Sequence, residues 1–420
     1  MSVLALFVCA GVTSAVDPTA HETVVGPVAE VVDGGFEQRP LLAAKDFLTE
    51  AELEGPDHQV DDQVVNDGLM NHYTLNATPG RLEVEGTDLL VVRLSEIAAL
   101  QRLEAIKGTT TYGDAFAAAV KSPYHAAKAL VTEPVETVKR VGAGVGRFLG
   151  SVGHAVAGKP TEQEDGAVKT ALGFDVYKRN FAYEAGVDPY TSYAPLTERL
   201  NELAWTGFAG GMTVRALFIA VPGPIGTTLQ ATSFSEGMRR LVRDKSPSEL
   251  KKHNSELLVG MKVDKVLVGT FLDNPKLSPT MSTRLVGALA TMGGVAGREV
   301  VVARATLVQD EPEAFYRVRQ VEMIAAYHDK VEKLERLIQV ERGIGLQRKD
   351  GTIVIVVPGD YLAWTEDTAA SARVASSGDS PLASAKSKEL WLAGKASARA
   401  RTELESRGWK VVEGARATLQ

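Results

Sequence analysis

Thr352-Ile353-Val354-Ile355-Val356-Val357 is the stretch on which the fold turns. It is a continuous apolar and β-branched run without alternation, which describes a strand buried on both faces, as in a sheet covered by helices. Pro358-Gly359-Asp360 ends it. Leu390-Trp391-Leu392-Ala393 reads as a second short strand. Ser397 then caps a helix through Arg407, Gly408 closes it, and Trp409-Lys410-Val411-Val412 returns as a third strand. Residues 346–420 therefore read as a small C-terminal α/β (β-α-β) module, with an Ala- and Ser-rich loop over 370–386.

Working back from this module, Pro312 to Arg342 carries apolar residues in steps of three and four: Val318, Val321, Ile324, His328, Val331, Leu334 and Ile338. That spacing predicts one long helix stopped by Gly343. Further helices are expected from Val168 to Ala185 and from Leu196 to about Ala220, with starts at Ser246-Pro247-Ser248-Glu249 and Ser278-Pro279. Residues 167–345 are thus a mainly helical domain, preceded by a polar linker over 159–166 and a Gly/Ala-rich helical arm over 109–158. Residues 21–108 read as a β-rich domain. Its clearest mark is a hairpin around Pro79-Gly80, followed by a strand at Leu89-Leu90-Val91-Val92 and a helix from Ser95. The whole is an α+β fold.

The first fifteen residues, MSVLALFVCAGVTSA, are uncharged, and small residues follow an apolar run. Residues 1–20 read as a secretory signal peptide cleaved after Ala15 or Ala20, which implies a periplasmic or extracellular location. The lone cysteine, Cys9, falls inside that segment, so the mature chain has no thiol for a disulfide, a nucleophile or a metal. The 420 residues carry 53 acidic and 46 basic side chains, a net charge of −7, which excludes a dedicated nucleic-acid binder.

Four clusters carry candidate chemistry. Asp57, His58, Asp61, Asp62, Asp67 and His72 gather carboxylates and imidazoles suited to a divalent metal, Ca, Zn or Fe. Gly142, Gly146 and Gly150, with Phe148 beside them, form a small-residue stripe for a peripheral membrane or oligomer contact. Tyr190, Tyr193 and Trp205 belong to a dense aromatic group that could present a binding surface. Arg239, Arg240, Arg243, Lys245, Lys251 and Lys252 make a basic patch. His328 with Glu332 one turn on reads as a buried, hydrogen-bonded histidine. Ser248 with Lys251 has serine–lysine acyl-enzyme spacing but reads more simply as part of a helix cap. The leading expectation is an extracytoplasmic, non-enzymatic protein that binds a protein, a polymer or the envelope surface. The alternative is a metal-dependent hydrolase built on the histidine/aspartate loop.

Overall fold

The computed structural model describes residues 31–32, 35–78, 80–121, 162–219, 235–375 and 380–419, with backbone alone for 31–32, 162–172 and 219. The expected signal peptide with Cys9 lies outside the described residues, as does the glycine stripe with Phe148.

Strands β1 (Val31–Val32) and β2 (Phe36–Glu37) pair with each other. A six-stranded antiparallel sheet follows, made of β3 (Leu41–Ala43), β4 (Glu54–Gly55), β5 (His58–Val60), β6 (Gln63–Asn66), β7 (Asn71–Ala77) and β8 (Gly80–Glu85). Its order is β3-β6-β7-β5-β4, with β8 also paired to β7. Helix α1 (Glu50–Leu53) starts on a capping box between Thr49 and Glu52. The expected hairpin is β7–β8, with Ala77 facing Gly80. Leu89–Val92 is not a strand. It lies in the first turns of α2 (Thr87–Lys107), whose buried residues Leu90, Ile97, Leu103 and Ile106 continue at helical spacing. Gly86, at φ +89°, turns the chain into it.

The next helices are α3 (Thr110–Lys121), α4 (Glu162–Ala185), α5 (Ala194–Ala209), α6 (Val214–Ile219) and α7 (Glu236–Asp244). The backbone is already helical from Glu162, inside the stretch expected as a linker. Gly186, at φ +75°, ends α4 as expected. The helix expected over 196–220 is broken in two, because Gly210 and Gly211 (φ +69°) close α5 before α6 begins.

Then come α8 (Pro247–Gly260), α9 (Lys265–Leu272), α10 (Pro279–Thr291), α11 (Glu299–Ala305) and α12 (Glu311–Lys330). They lead into β9 (Leu334–Val340), β10 (Gly343–Arg348), β11 (Thr352–Val357) and β12 (Tyr361–Leu362). The chain closes with α13 (Glu366–Ala375), β13 (Ser387–Leu392), β14 (Lys395–Ala396), α14 (Ala398–Ser406), β15 (Trp409–Val412) and α15 (Arg416–Leu419). The main sheet runs β15-β13-β11-β10-β9, with β11, β13 and β15 parallel. Alternate residues of β11 serve two cores. Val354 and Val356 pack with α10 and α12, while Ile353, Ile355 and Val357 pack with α13 and α14. That two-sided cover is why the run has no polar position.

Two expectations here are corrected. The helix over 312–342 stops at Lys330, and Leu334 to Val340 form a strand that turns at Glu341 (φ +51°) into β10. Its buried positions 334, 337 and 340 keep a three-residue spacing, which imitates a helix. The loop expected over 370–386 is helical through Ala375. Ala369, Ala372 and Ala375 are buried at helical intervals, and alanine is the strongest helix former.

Residues Met1–Leu94 and Pro247–Gln420 make one compact unit, and Ser95–Ser246 the other. The antiparallel sheet and the α/β module therefore share a unit. Within it, a Cβ on Gly394 would stand 1.8 Å from the carbonyl oxygen of Asp360, a backbone atom that cannot step aside. Gly394→Ala is expected to cost about 3 kcal/mol by overpacking, read from the urea midpoint.

Candidate functional site

The predicted metal ligands do not converge. His58 faces Ala77 at one end of β7, and His72 lies near the other end, opposite Val65 and Glu85. Five residues of strand separate these positions, roughly 16 Å at 3.3 Å per residue. His58 packs over Gly55, and its Nε2 is buried without a hydrogen-bond partner. Asp61 Oδ1 accepts from Asn76 at 2.7 Å. Asp57 and Asp62 contribute main-chain carbonyls, to Thr78 and Ala44. Only Asp67 and His72 meet, at 3.2 Å. Asp67 Oδ1 also accepts from the backbone N–H groups of Leu69 and Met70, so it organises a turn. Burial raises the Asp67 pKa, but these bonds outweigh it and hold it below the ordinary value. The hydrogen bond to Asp67 holds His72 above its own. Among the described residues no three of His, Cys, Asp and Glu stand together as a metal site.

The aromatic surface is interior. Trp205 is 2% exposed and Tyr193 5% exposed, while Tyr190 is half-buried. Trp205 sits 5.6 Å from Phe174 and 6.1 Å from Phe208, ring to ring, in the packing of α4 against α5. The rings are needed there because two helices bury their apolar faces on each other. His328 is likewise a core residue: Nδ1 accepts from the Leu334 N–H at 3.0 Å, and burial lowers its pKa.

The chain places charge in its interior at a site that no local motif announces. Asp360, at the C-terminal end of β11, accepts from the N–H groups of Asn71 and Thr87, both at 3.1 Å to Oδ2. It therefore ties β7 and the N-terminus of α2 to the main sheet. Arg416, the first residue of α15, approaches Asp360 at 3.6 Å and binds Asp88 at 3.0 Å. Asp88 holds Arg319 at 3.1 Å, Arg319 holds Glu322 at 2.9 Å, and Glu322 holds Arg284 at 2.8 Å. Burial pushes the Asp360 carboxyl up to about 6, against the pull of Arg416 and the two N–H donors. Titratable groups shifted by burial often mark active sites. Here the Asp360 side chain is 1% exposed and its oxygens are engaged, so the cluster reads as a structural lock.

An open site among the described residues of this unit is a groove between α8 and α9. The two helices form an antiparallel hairpin. Asp264 caps α9 by accepting from Val266 and Leu267, and Lys251 is ion-paired with Asp273, just past the far end of α9. Leu250, Leu258, Val268 and Phe271 turn inward and anchor the pair. Beside them an open groove of about 440 Å³ is lined by Ser248, Lys251, Lys252, Ser255 and Val259 from α8 and by Lys265, Gly269, Leu272 and the edge of the buried Val268 from α9. Lys252 reaches Glu256 only at 4.0 Å, and both side chains are mostly exposed. Val259 is 38% exposed, which leaves apolar surface in the groove. A Cβ on Gly269 would meet nothing within 4 Å, so the middle of the groove is open. Ser248 and Lys251 do share this groove, but Lys251 is half-exposed and held by Asp273. A lysine general base works from a desolvated site. The basic patch read from the sequence contained Lys251 and Lys252. Lys265 escaped it, because only the hairpin brings α9 alongside.

No protein-family model, no curated protein and no solved structure matches this chain. Among the described residues no helix is long and apolar enough to cross a membrane.

Proposed function

We propose that this is a non-enzymatic binding protein whose working surface is the groove between α8 and α9, and that its ligand is anionic and partly apolar. One observation supports the reading above the others: lysines rim an apolar groove whose volume lies in the range of small-molecule and peptide sites. Lysine ammonium groups attract carboxylates at range, and the apolar floor rewards a ligand that also brings hydrocarbon. The metal-dependent hydrolase finds no ligand set among the described residues. Export to the periplasm or outside the cell belongs to the same proposal, and fractionation of cells producing the full chain tests it separately.

The test of the groove uses a fluorescent 18-residue Glu/Leu peptide and its Lys/Leu counterpart against the full chain. The acidic peptide is expected to bind and the basic one not. The triple variant Lys251→Glu, Lys252→Glu, Lys265→Glu should weaken binding tenfold or more, and salt should weaken it in the parent protein. Equal binding of both peptides, or indifference to the triple reversal, rules the groove out.

A further inference from the structure

The unit that holds the main sheet also gathers Arg304 on α11, Arg317 on α12 and Arg342 at the turn from β9 into β10. Among the described residues none of the three is in an ion pair. From this uncompensated cluster we infer a second binding site, independent of the groove, that takes a small phosphate dianion. Arg317 decides the matter, because it is only 2% exposed. Its Nη1 donates to Gln320 Oε1, and its enclosed Nε has no acceptor. Glu313, one turn earlier, attracts it from a distance, but the Glu313 carboxylate accepts from the Gln309 N–H at 2.9 Å. A buried cation without a counter-ion is among the costliest states a side chain can hold, and an anion that reaches it relieves that cost.

Strand register brings the three together. β10 pairs with β11 from Gln347 and Ile353 up to Gly345 and Ile355. Pairing ends there, and the next carbonyl of β11, that of Val356, accepts from Gln320 Nε2 at 2.9 Å. The same register, continued, sets Gly343 beside Val357, so Arg342 stands at the carboxyl end of β11. Arg304 Nη2 lies 3.5 Å from the Glu341 carbonyl at that same turn. Burial holds the Arg304 pKa below its ordinary value, and the neighbouring Arg342 charge adds to the effect. Arg317 is lowered in the same way, by burial first and then by Arg304. The carboxyl ends of strands are where α/β sheets commonly receive ligands. A phosphate dianion brings two negative charges, and its oxygens point in several directions, so guanidinium groups from three elements can each meet one. A carboxylate has one charge and two oxygens in a plane, which suits a single fork. Burial falls from Arg317 through the partly buried Arg304 to the exposed Arg342. A small phosphate can follow that gradient inward, whereas a membrane surface meets Arg342 first.

The experiment titrates inorganic phosphate into the full chain by calorimetry at constant ionic strength, with acetate and phosphatidic acid vesicles as comparison ligands. Phosphate is expected to bind at least about tenfold more tightly than acetate. Arg342→Ala, a change on an exposed turn, should weaken phosphate about tenfold, and Arg317→Met should abolish its binding. Urea unfolding gives a second readout. Without phosphate, Arg317→Met is expected to match or exceed the parent's midpoint, because it removes a buried charge that lacks a counter-ion. Phosphate should then raise the parent's midpoint more than the variant's, a difference that cancels the general stabilisation by phosphate salts. Should Arg317→Met fail to fold, Arg342→Ala and Arg304→Gln carry the reading. Absence of phosphate binding in the parent, equal binding of acetate, or phosphate binding that the arginine variants retain overturns the inference. Loss of phosphate binding in the triple lysine reversal alone would place the anion in the groove and overturn it too. Vesicle binding that Arg342→Ala abolishes, with no binding of free phosphate, would assign the arginines to lipid headgroups, which also overturns it.

Discussion

Asp360→Ala is expected to remove about 3–5 kcal/mol of stability, because it strips a buried charge from a linked set of partners. The N–H groups of Asn71 and Thr87 lose their acceptor, and Arg416 loses one of its two carboxylates. An unsatisfied buried donor alone costs about 1–3 kcal/mol. The measurement is urea unfolding followed by tryptophan fluorescence in a Trp205→Phe background. Trp364, Trp391 and Trp409 then all report on the unit that holds Asp360. Asp360→Asn keeps an acceptor and is expected to lose much less at neutral pH. The pH profile separates the two variants further. The folded value of about 6 lies above the ordinary 3.8. The protonated form is therefore the better fit to the fold. Its contribution is complete below about pH 4 and is lost as pH rises through about 6, a change of about 3 kcal/mol. Asp360→Asn should flatten stability across that window. A profile that keeps its full slope in the asparagine variant would show that another group titrates there.

Glu322→Gln has the second largest expected effect, again about 3–5 kcal/mol at pH 7. Glu322 stands between Arg284 and Arg319, and neither guanidinium is more than 8% exposed. Burial raises the Glu322 pKa, but the two arginines outweigh it and hold the carboxyl below its ordinary 4.5. The sign is opposite to that of Asp360. The Glu322 contribution is present above the unfolded value and is lost as pH falls through the folded one. The parent protein should therefore gain stability on acidification from pH 7 to about 4.5 and lose it further down. Glu322→Gln should remove the acid-side loss while leaving the gain. An acid limb that persists unchanged would count against the pairing.

Much of the C-terminal module could be read from residues 352–412, because its signals are local: a strand with no polar position, a serine cap, a glycine stop. The hairpin at Ala77 and Gly80 was legible for the same reason. Failures came where tertiary contacts override spacing. Leu89–Val92 joins a helix because Asp360, far along the chain, holds the N–H of Thr87. Leu334, Leu337 and Val340 are buried at a helix-like interval, yet they lie on an edge strand. The acidic loop looked like a metal site because one-dimensional density of ligands says nothing of direction, and the strands carry His58 and His72 apart. The charged chain from Asp360 to Arg284 draws on α2, α10, α12, α15 and the turn after β11, so no window of sequence contains it.

The split of one unit between Met1–Leu94 and Pro247–Gln420 has a consequence for synthesis. The antiparallel sheet leaves the ribosome long before the strand end that secures it. At about 5–20 residues per second, the interval between Glu85 and Asp360 lasts on the order of tens of seconds. Through that interval the start of β7 and the first turn of α2 must wait without their anchor, while Ser95–Ser246 is already free to collapse by itself. A chaperone that shields nascent β-strands would be needed most in that waiting period, and ribosome-stalled chains ending before residue 360 should be the ones a protease cuts within residues 41–85.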